Sequence, residues 1–447
     1  MENTLEDHGL IAQTDQPSKE TKGDPIQEPL AGITILEMTI ALQGPAAGLY
    51  LRDMGAEVIK VEPPIGDSAR HHRGANNSTP PEALTPAFIA ANRGKKSVCV
   101  DVHTPTGREV VKRLLDRADV FLTNYREEFL KSMGLDYDTL HSQYPQLVYA
   151  QVNGFGPEGK DRDKPMLDGA AQARGGIMSL SGPPGQPPSP PGAAIADLGG
   201  AMQLALGVMT GLFARSQHGV GQKVSTSSLG AQLWLQQWEL QQSIIADQPL
   251  RAEGAHLANI QGPYGVYETS DGGAFMLAVA MDEESWDALC IFAEAYEIIG
   301  DPDWNTQGKR MGSSGKGRQP DEIRAILRRG FLTKTTAEWV EFMYDQPDII
   351  MERVRGLEDV ITDEQNIANE YIVPMTMPII GETKVVGNLV RMSETPGSVK
   401  GPAPELGAQN FEVLSMLGFS EEEIEAVAEQ TETVRAEFAL AMEQMDG

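Results

Sequence analysis

Short apolar runs that read as strands alternate with amphipathic helical stretches from Ile33 to Phe155, and nothing else restricts the fold of this chain as strongly. ITILEM (Ile33 to Met38) reads as a buried strand, GPAAGLYLRDMG (Gly44 to Gly55) as a short helix and EVIKVE (Glu57 to Glu62) as a second strand. SVCVDV (Ser97 to Val102), VFLTN (Val120 to Asn124) and LVYAQVNGF (Leu147 to Phe155) repeat the strand pattern. Between them, Thr106 to Ala118 puts Val110, Val111, Leu114 and Leu115 on one helical face, and Glu127 to Met133 forms a shorter helix. Parallel neighbours need a crossover to join them, so strand and helix in strict alternation imply a parallel α/β sheet.

Further along, GGIMSLSGPPGQPPSPPG (Gly175 to Gly192) is too rich in glycine and proline for regular structure and reads as a long loop. It leads into an apolar helix from Ala201 to Arg215. The texture changes after about residue 225, where GPYGVYETSDGGAFMLAVA (Gly262 to Ala280) reads as a hairpin around SDGG, suiting a smaller α+β unit. At roughly 150 residues per domain, 447 residues allow two large units or three ordinary ones. Residues 1–28 read as a polar tail.

Sixty-four acidic against 36 basic residues give a net charge of −28, so neither nucleic acid nor anionic membrane is an expected partner. An anionic ligand must find a local basic pocket. Cys99 and Cys290 stand alone, which points to no zinc site or disulfide framework and to a reducing cytoplasm. There is no basic patch leading an apolar run at the N-terminus and no uninterrupted apolar stretch of about 18 residues, so no membrane span is expected.

The loop after Met38, TIALQGPAAG, lacks the GxGxxG fingerprint of dinucleotide binding, although it opens a helix whose free N–H groups suit a thioester oxygen or a phosphate. NRGKKS (Asn92 to Ser97) is either a solvated turn or a polyphosphate site. Asp168 and Asp197 each stand beside a structural break among glycines. Each suits an N-cap; Asp197, followed by Gly199 and Gly200, also suits a nucleophile kept ionised by the helix dipole, with space for a substrate carbonyl. No histidine stands in a triad context, and the adjacent His71 and His72 have no third ligand for a metal.

Taken together, GPxxxxxLRDMGAEVIKVEPPIGD (Gly44 to Asp67), NRGKKSVCVDV (Asn92 to Val102), ADVFLTNYR (Ala118 to Arg126), MGLDYDTL (Met133 to Leu140), LVYAQVNGFGPEG (Leu147 to Gly159) and ADLGGAMQLALGVMTGLFAR (Ala196 to Arg215) resemble the class III CoA-transferases of the CaiB/BaiF type, the family of formyl-CoA and carnitine CoA-transferases. The similarity continues through PYGVYETSDGG to GPAPELGAQNFEVLSMLGFSEEEI (Gly401 to Ile424). This resemblance implies a large Rossmann-like domain whose parallel sheet is built from both chain ends (residues 29–225 and 346–447), a smaller central α+β domain (226–345) and an interlocked homodimer. It implies that Asp197 attacks an acyl-CoA thioester to give a mixed anhydride, that CoA then forms an aspartyl thioester, and that a small carboxylic acid completes the exchange. Coenzyme A is then a substrate, with no tightly bound cofactor and no metal. CoA contacts carried over by resemblance are Leu42, Gln43, Val100, Asn124 and Tyr125, to which Arg93, Lys95 and Lys96 are added as phosphate candidates.

Two positions depart from the pattern: Ser132 and Pro63 stand where members of the family can carry CoA-binding arginines, leaving Lys131 or Arg126 to substitute. An α-methylacyl-CoA racemase resemblance is the alternative within the fold; it uses a His-Asp dipeptide, here Leu167-Asp168, and without the histidine one proton carrier is missing. Asp168 then reads as a support or substrate contact. A catalytically idle CoA-binding homologue is the third reading. Trp234, Trp238, Tyr264, Tyr267 and Met281 are candidates for pocket walls or core, and QGPYG (Gln261 to Gly265) for a lid or a simple hairpin start.

Overall fold

The computed structural model describes residues 27–74, 79–280, 282–311 and 320–446. Met281 and all but the last two residues of the expected tail lie outside the described residues. Strands β1 (Thr34–Met38), β2 (Glu57–Glu62), β3 (Lys96–Cys99), β4 (Val120–Thr123), β5 (Val148–Asn153) and β6 (Lys223–Ser227) form one parallel sheet in the order β3-β2-β1-β4-β5-β6. The order reverses between β1 and β4, and at such a switch point the loops leaving the strand ends part to form a ligand crevice.

Nine helices accompany these strands: α1 (Gln43–Asp53), α2 (Pro86–Asn92), α3 (Pro105–Leu115), α4 (Glu127–Met133), α5 (Tyr137–Gln143), α6 (Asp168–Gly175), α7 (Ile195–His218), α8 (Ser228–Leu235) and α9 (Gln237–Ala246). Alternate strand residues feed two cores, as the two-residue period demands. Leu36, Ile59, Phe121 and Tyr149 meet α3, α4 and α5 on one face, while Ile35, Val58, Val120 and Val148 meet α1 and α7 on the other. Both faces being covered explains why the strands read as continuous apolar runs.

The smaller unit pairs β7 (Gly265–Glu268), β8 (Ala274–Ala280) and β9 (Ile349–Arg353) antiparallel under α10 (Glu283–Phe292), α11 (Gln307–Arg310), α12 (Pro320–Phe331) and α13 (Thr336–Asp345). Its core stacks Trp339 on Phe331 with ring centroids 3.9 Å apart, and Tyr267 belongs to it. The chain then runs through α14 (Leu357–Thr362), α15 (Glu364–Ala368) and the hairpin of β10 (Ile372–Met377) and β11 (Gly381–Val386) to α16 (Asn410–Met416) and α17 (Glu421–Asp446).

One expectation is corrected here. The six-stranded sheet takes no strand from the C-terminal end; that end supplies Val413, Leu414, Leu417 and Phe419 to the core instead. The expected division at 225/226 falls inside β6, and α8 packs on α6 and α7, so the large layer continues past it. Beyond residue 346, β9 still pairs with β8. Finally, α7 is by length and composition apolar enough to cross a membrane. In this fold its Ala201, Leu204, Ala205 and Val208 cover the sheet, which accounts for one apolar side.

Candidate active site

The first turns of α1, α6, α7 and α8 converge, bringing Gln43, Asp168, Asp197 and Ser228 together. Each helix directs the positive end of its dipole toward this point, so negative charge is favoured there. The local sequence accounts for the convergence. β6 ends at Ser227, whose hydroxyl caps α8 at Gly230 N (3.0 Å). Gly175, at the end of α6, permits a close crossing with α8, since a Cβ there would lie 2.5 Å from that of Gln232.

Neither aspartate is the N-cap of its own helix. Asp168 is the first residue of α6, and its Oδ1 accepts from the backbone N–H groups of Ala196 (2.8 Å) and Asp197 (3.0 Å), capping α7 from outside. Its Oδ2 accepts from Gln172 Nε2, which also donates to Ala193 O at 2.9 Å and so ties the cap to the end of the proline-rich loop. Asp197 is the third residue of α7, half-buried, and its Oδ1 accepts from Ser228 Oγ at 3.4 Å. Burial pushes the Asp197 carboxyl up to about 6, the Asp168 charge adds to that, and Ser228 opposes it. The helix N–H groups expected to keep Asp197 ionised are thus spent on Asp168.

Gln43 Nε2 donates to Ser228 Oγ at 2.7 Å, and a Cβ on Gly200 would come within 2.1 Å of that same nitrogen. The space beside Gly200 therefore holds the Gln43 amide rather than a substrate carbonyl, and the side of Gly199 faces Ala231 and Leu235. The loop presenting Leu42 and Gln43 is held in an uncommon conformation, with Ala41 at φ +65°. Asn124 clasps it by accepting from Ile40 N (2.9 Å) and donating to Ile40 O (2.8 Å), while Asp67 Oδ1 accepts from Ala41 N (2.8 Å). Beneath it, buried Lys60 donates to Thr39 O (2.7 Å) and pairs with Asp67 (2.9 Å) and Glu37 (3.2 Å).

The basic turn does not behave as a phosphate site. Arg93 is buried against Asp53 (2.6 Å) and Val386 O, and Lys95 is buried against Glu37 (2.8 Å) and Pro45 O, with burial drawing its ammonium down to about 8. Lys96 bridges Glu57 and Glu412. Arg93 and Lys95 neutralise internal carboxylates that folding has taken out of water, while Lys96 makes partly exposed pairs. Val100 is buried in the core, Tyr125 packs edge-on against Phe129, and exposed Lys131 reaches Glu127 at 3.7 Å. Exposed Arg126 has no carboxylate partner among the described residues and stands beside Tyr125, past the end of β4. The QGPYG segment is pinned by Arg324, which donates to Gly262 O (2.7 Å) and Ile260 O (3.1 Å). Ser228 and Gln172 were missed from sequence; Ser228 carried a usable signal, as the first residue beyond a strand of a parallel sheet.

The model of CoA-transferase family III matches residues 30–410. The chain belongs to that family. It is similar to the succinyl-CoA–D-citramalate CoA-transferase of Chloroflexus aurantiacus, at 30% identity over 89% of this chain and 96% of the relative. It is also similar to the succinate–glutarate CoA-transferase of Agrobacterium fabrum, at 31% identity over 90% and 98%. The crystal structure of a CaiB/BaiF family protein from Brucella suis superimposes with a TM-score of 0.75 at 25% identity, covering 88% of this chain and all of that one. The chain is accordingly a class III CoA-transferase, an enzyme acting between acyl-CoA thioesters and carboxylic acids.

Proposed function

We propose that this CoA-transferase works through covalent catalysis on Asp197. The carboxylate attacks the carbonyl carbon of the donor acyl-CoA; the C–S bond breaks, leaving an aspartyl–acyl anhydride and CoA thiolate. The thiolate attacks the aspartyl carbon, expelling the donor acid and forming an aspartyl-CoA thioester. The acceptor carboxylate attacks that thioester, and the released thiolate takes the acceptor acyl group, restoring Asp197. An anhydride keeps the activation of the thioester, so the cycle consumes no other energy source.

The observation that carries this reading is the half-buried Asp197 carboxylate, titrating near 6 amid four helix N-termini. Such a carboxylate is ionised at neutral pH yet incompletely stabilised, and the surrounding helix dipoles favour thiolate and departing carboxylate. A racemase role for Asp168 finds less support, because both of its oxygens already accept hydrogen bonds. The same reading includes a homodimer. Met202, Leu206 and Phe213 on α7, Trp234 on α8 and Ile244 and Ile245 on α9 are exposed, and large apolar side chains left open on three successive helices suit contact with a second copy.

The test is a panel of acyl-CoA donors and carboxylic acids, succinyl-CoA with dicarboxylates among them, followed by mass spectrometry of exchange. Hydroxylamine or borohydride added during turnover should modify the Asp197 peptide. Exchange that persists in Asp197→Ala, or an unmodified peptide in active enzyme, overturns the proposal.

A further inference from the structure

Ser228 is fully buried behind Asp197 at the start of α8, in contact with the carboxylate from the side away from solvent. Its oxygen already accepts from Gln43 Nε2 at 2.7 Å, so its single proton is left to point at Asp197 Oδ1, 3.4 Å away. Among the described residues no hydrogen bond reaches the other oxygen, Oδ2. The two oxygens of the carboxylate are therefore inequivalent: Oδ2 is free to attack and Oδ1 is held.

Resting on the Asp197 reading above, we propose that Ser228 is a catalytic residue, the oxyanion donor for attack at the acylated Asp197 carbon, and that Gln43 is its positioning residue. Once Oδ2 carries the acyl group, Oδ1 is the carbonyl oxygen of Asp197. When CoA thiolate adds to that carbon, the electron pair of the C=O bond moves onto Oδ1, directly in front of the Ser228 hydroxyl. As the intermediate collapses, the pair returns, the bond from carbon to Oδ2 breaks and the donor acid leaves with that oxygen. The acceptor carboxylate adding to the aspartyl thioester places charge on Oδ1 again, with thiolate as the leaving group. One donor thus serves both steps that occur at the aspartyl carbon, and no proton changes owner.

The contact is long in the resting enzyme, and catalytic hydrogen bonds commonly tighten only as charge develops. A buried donor aimed at the developing charge is worth more than the same donor in water. The relay also strengthens it, because a hydroxyl that accepts from an amide is a better donor. Gly200 is needed for the relay, since a methyl group there would collide with the Gln43 amide.

The test compares the parent with Ser228→Ala, Ser228→Thr and Gly200→Ala, the last keeping both relay side chains but displacing the Gln43 amide. Ser228→Ala should lower kcat about a hundredfold, the scale for losing one such donor, with little change in KM for acyl-CoA. Rapid quench should then show the donor acyl anhydride accumulating on Asp197 at the expense of aspartyl-CoA. Ser228→Thr should restore most of the rate, and Gly200→Ala should fall between. A Ser228→Ala enzyme that turns over at the parental rate, or is slowed without the anhydride accumulating, overturns this proposal even while the parent still labels at Asp197. Absence of any Asp197 adduct in the active parent instead overturns the nucleophile reading on which it rests.

Discussion

Replacing Asp168 by asparagine separates the two things that this side chain does to Asp197. The amide oxygen can still accept from Ala196 N and Asp197 N, so the cap on α7 stays, while the negative charge is lost. Gln172 can present its Oε1 to the new amide only by giving up its hydrogen bond to Ala193 O, a cost to the loop end that leaves the cap on α7 in place. The Asp197 carboxyl is raised from 3.8 to about 6, firstly by burial and secondly by Asp168. At about 1.4 kcal/mol per pH unit, the whole shift corresponds to roughly 3 kcal/mol. The Asp168 charge is the smaller contribution, so its removal should move the acid limb of kcat/KM down by about one pH unit or less. The assay is initial exchange rate at low acyl-CoA across pH 4.5 to 8, where the parent should lose activity below about 6. An acid limb that stays in place or moves upward in Asp168→Asn would refute the electrostatic coupling of the two carboxylates.

Other expectations follow from the same geometry. Asp197→Asn should abolish exchange and yet be more stable than the parent at pH 7 to 8, by up to about 3 kcal/mol in urea titration. The sign follows from a folded-state value raised to about 6: stabilisation is complete below the ordinary 3.8 and is lost as pH rises through 6, so the advantage of the variant should vanish near pH 4. Lys95→Ala, which leaves buried Lys60 to neutralise both Glu37 and Asp67, should cost roughly 3–5 kcal/mol of stability and leave KM for acyl-CoA in the folded fraction nearly unchanged. A large rise in KM without loss of stability would restore Lys95 as a phosphate ligand. Phe213→Arg, on the exposed face of α7, should shift the mass measured by light scattering from dimer to monomer.

Much of the site was legible because its parts follow simple local rules. Asp197 stood out from glycine neighbours and a helix start, and Gln43 through the family resemblance alone; Gln43 lies where β1 gives way to α1, whereas Asp197 follows the proline-rich loop. The roles of the two aspartates were not legible, since Asp168 caps a helix that begins 27 residues further on. Ser228, the last serine of STSS, is marked in sequence only by its place just beyond a strand, and the crossing of α7 and α8 is what turns its hydroxyl toward Asp197.

The alternation of strand and helix, the hairpin after residue 262 and the apolar faces were written into the chain itself. They depend on periodicity within a turn or two, which neighbouring residues enforce. The fate of NRGKKS was decided by the fold. Three cations in a turn look solvated or phosphate-binding in any local reading, yet Asp53 and Glu37, distant in the chain, capture Arg93 and Lys95. Charge pairing acts through space without regard to sequence separation, so partner and function for such groups exist only once the strands are side by side.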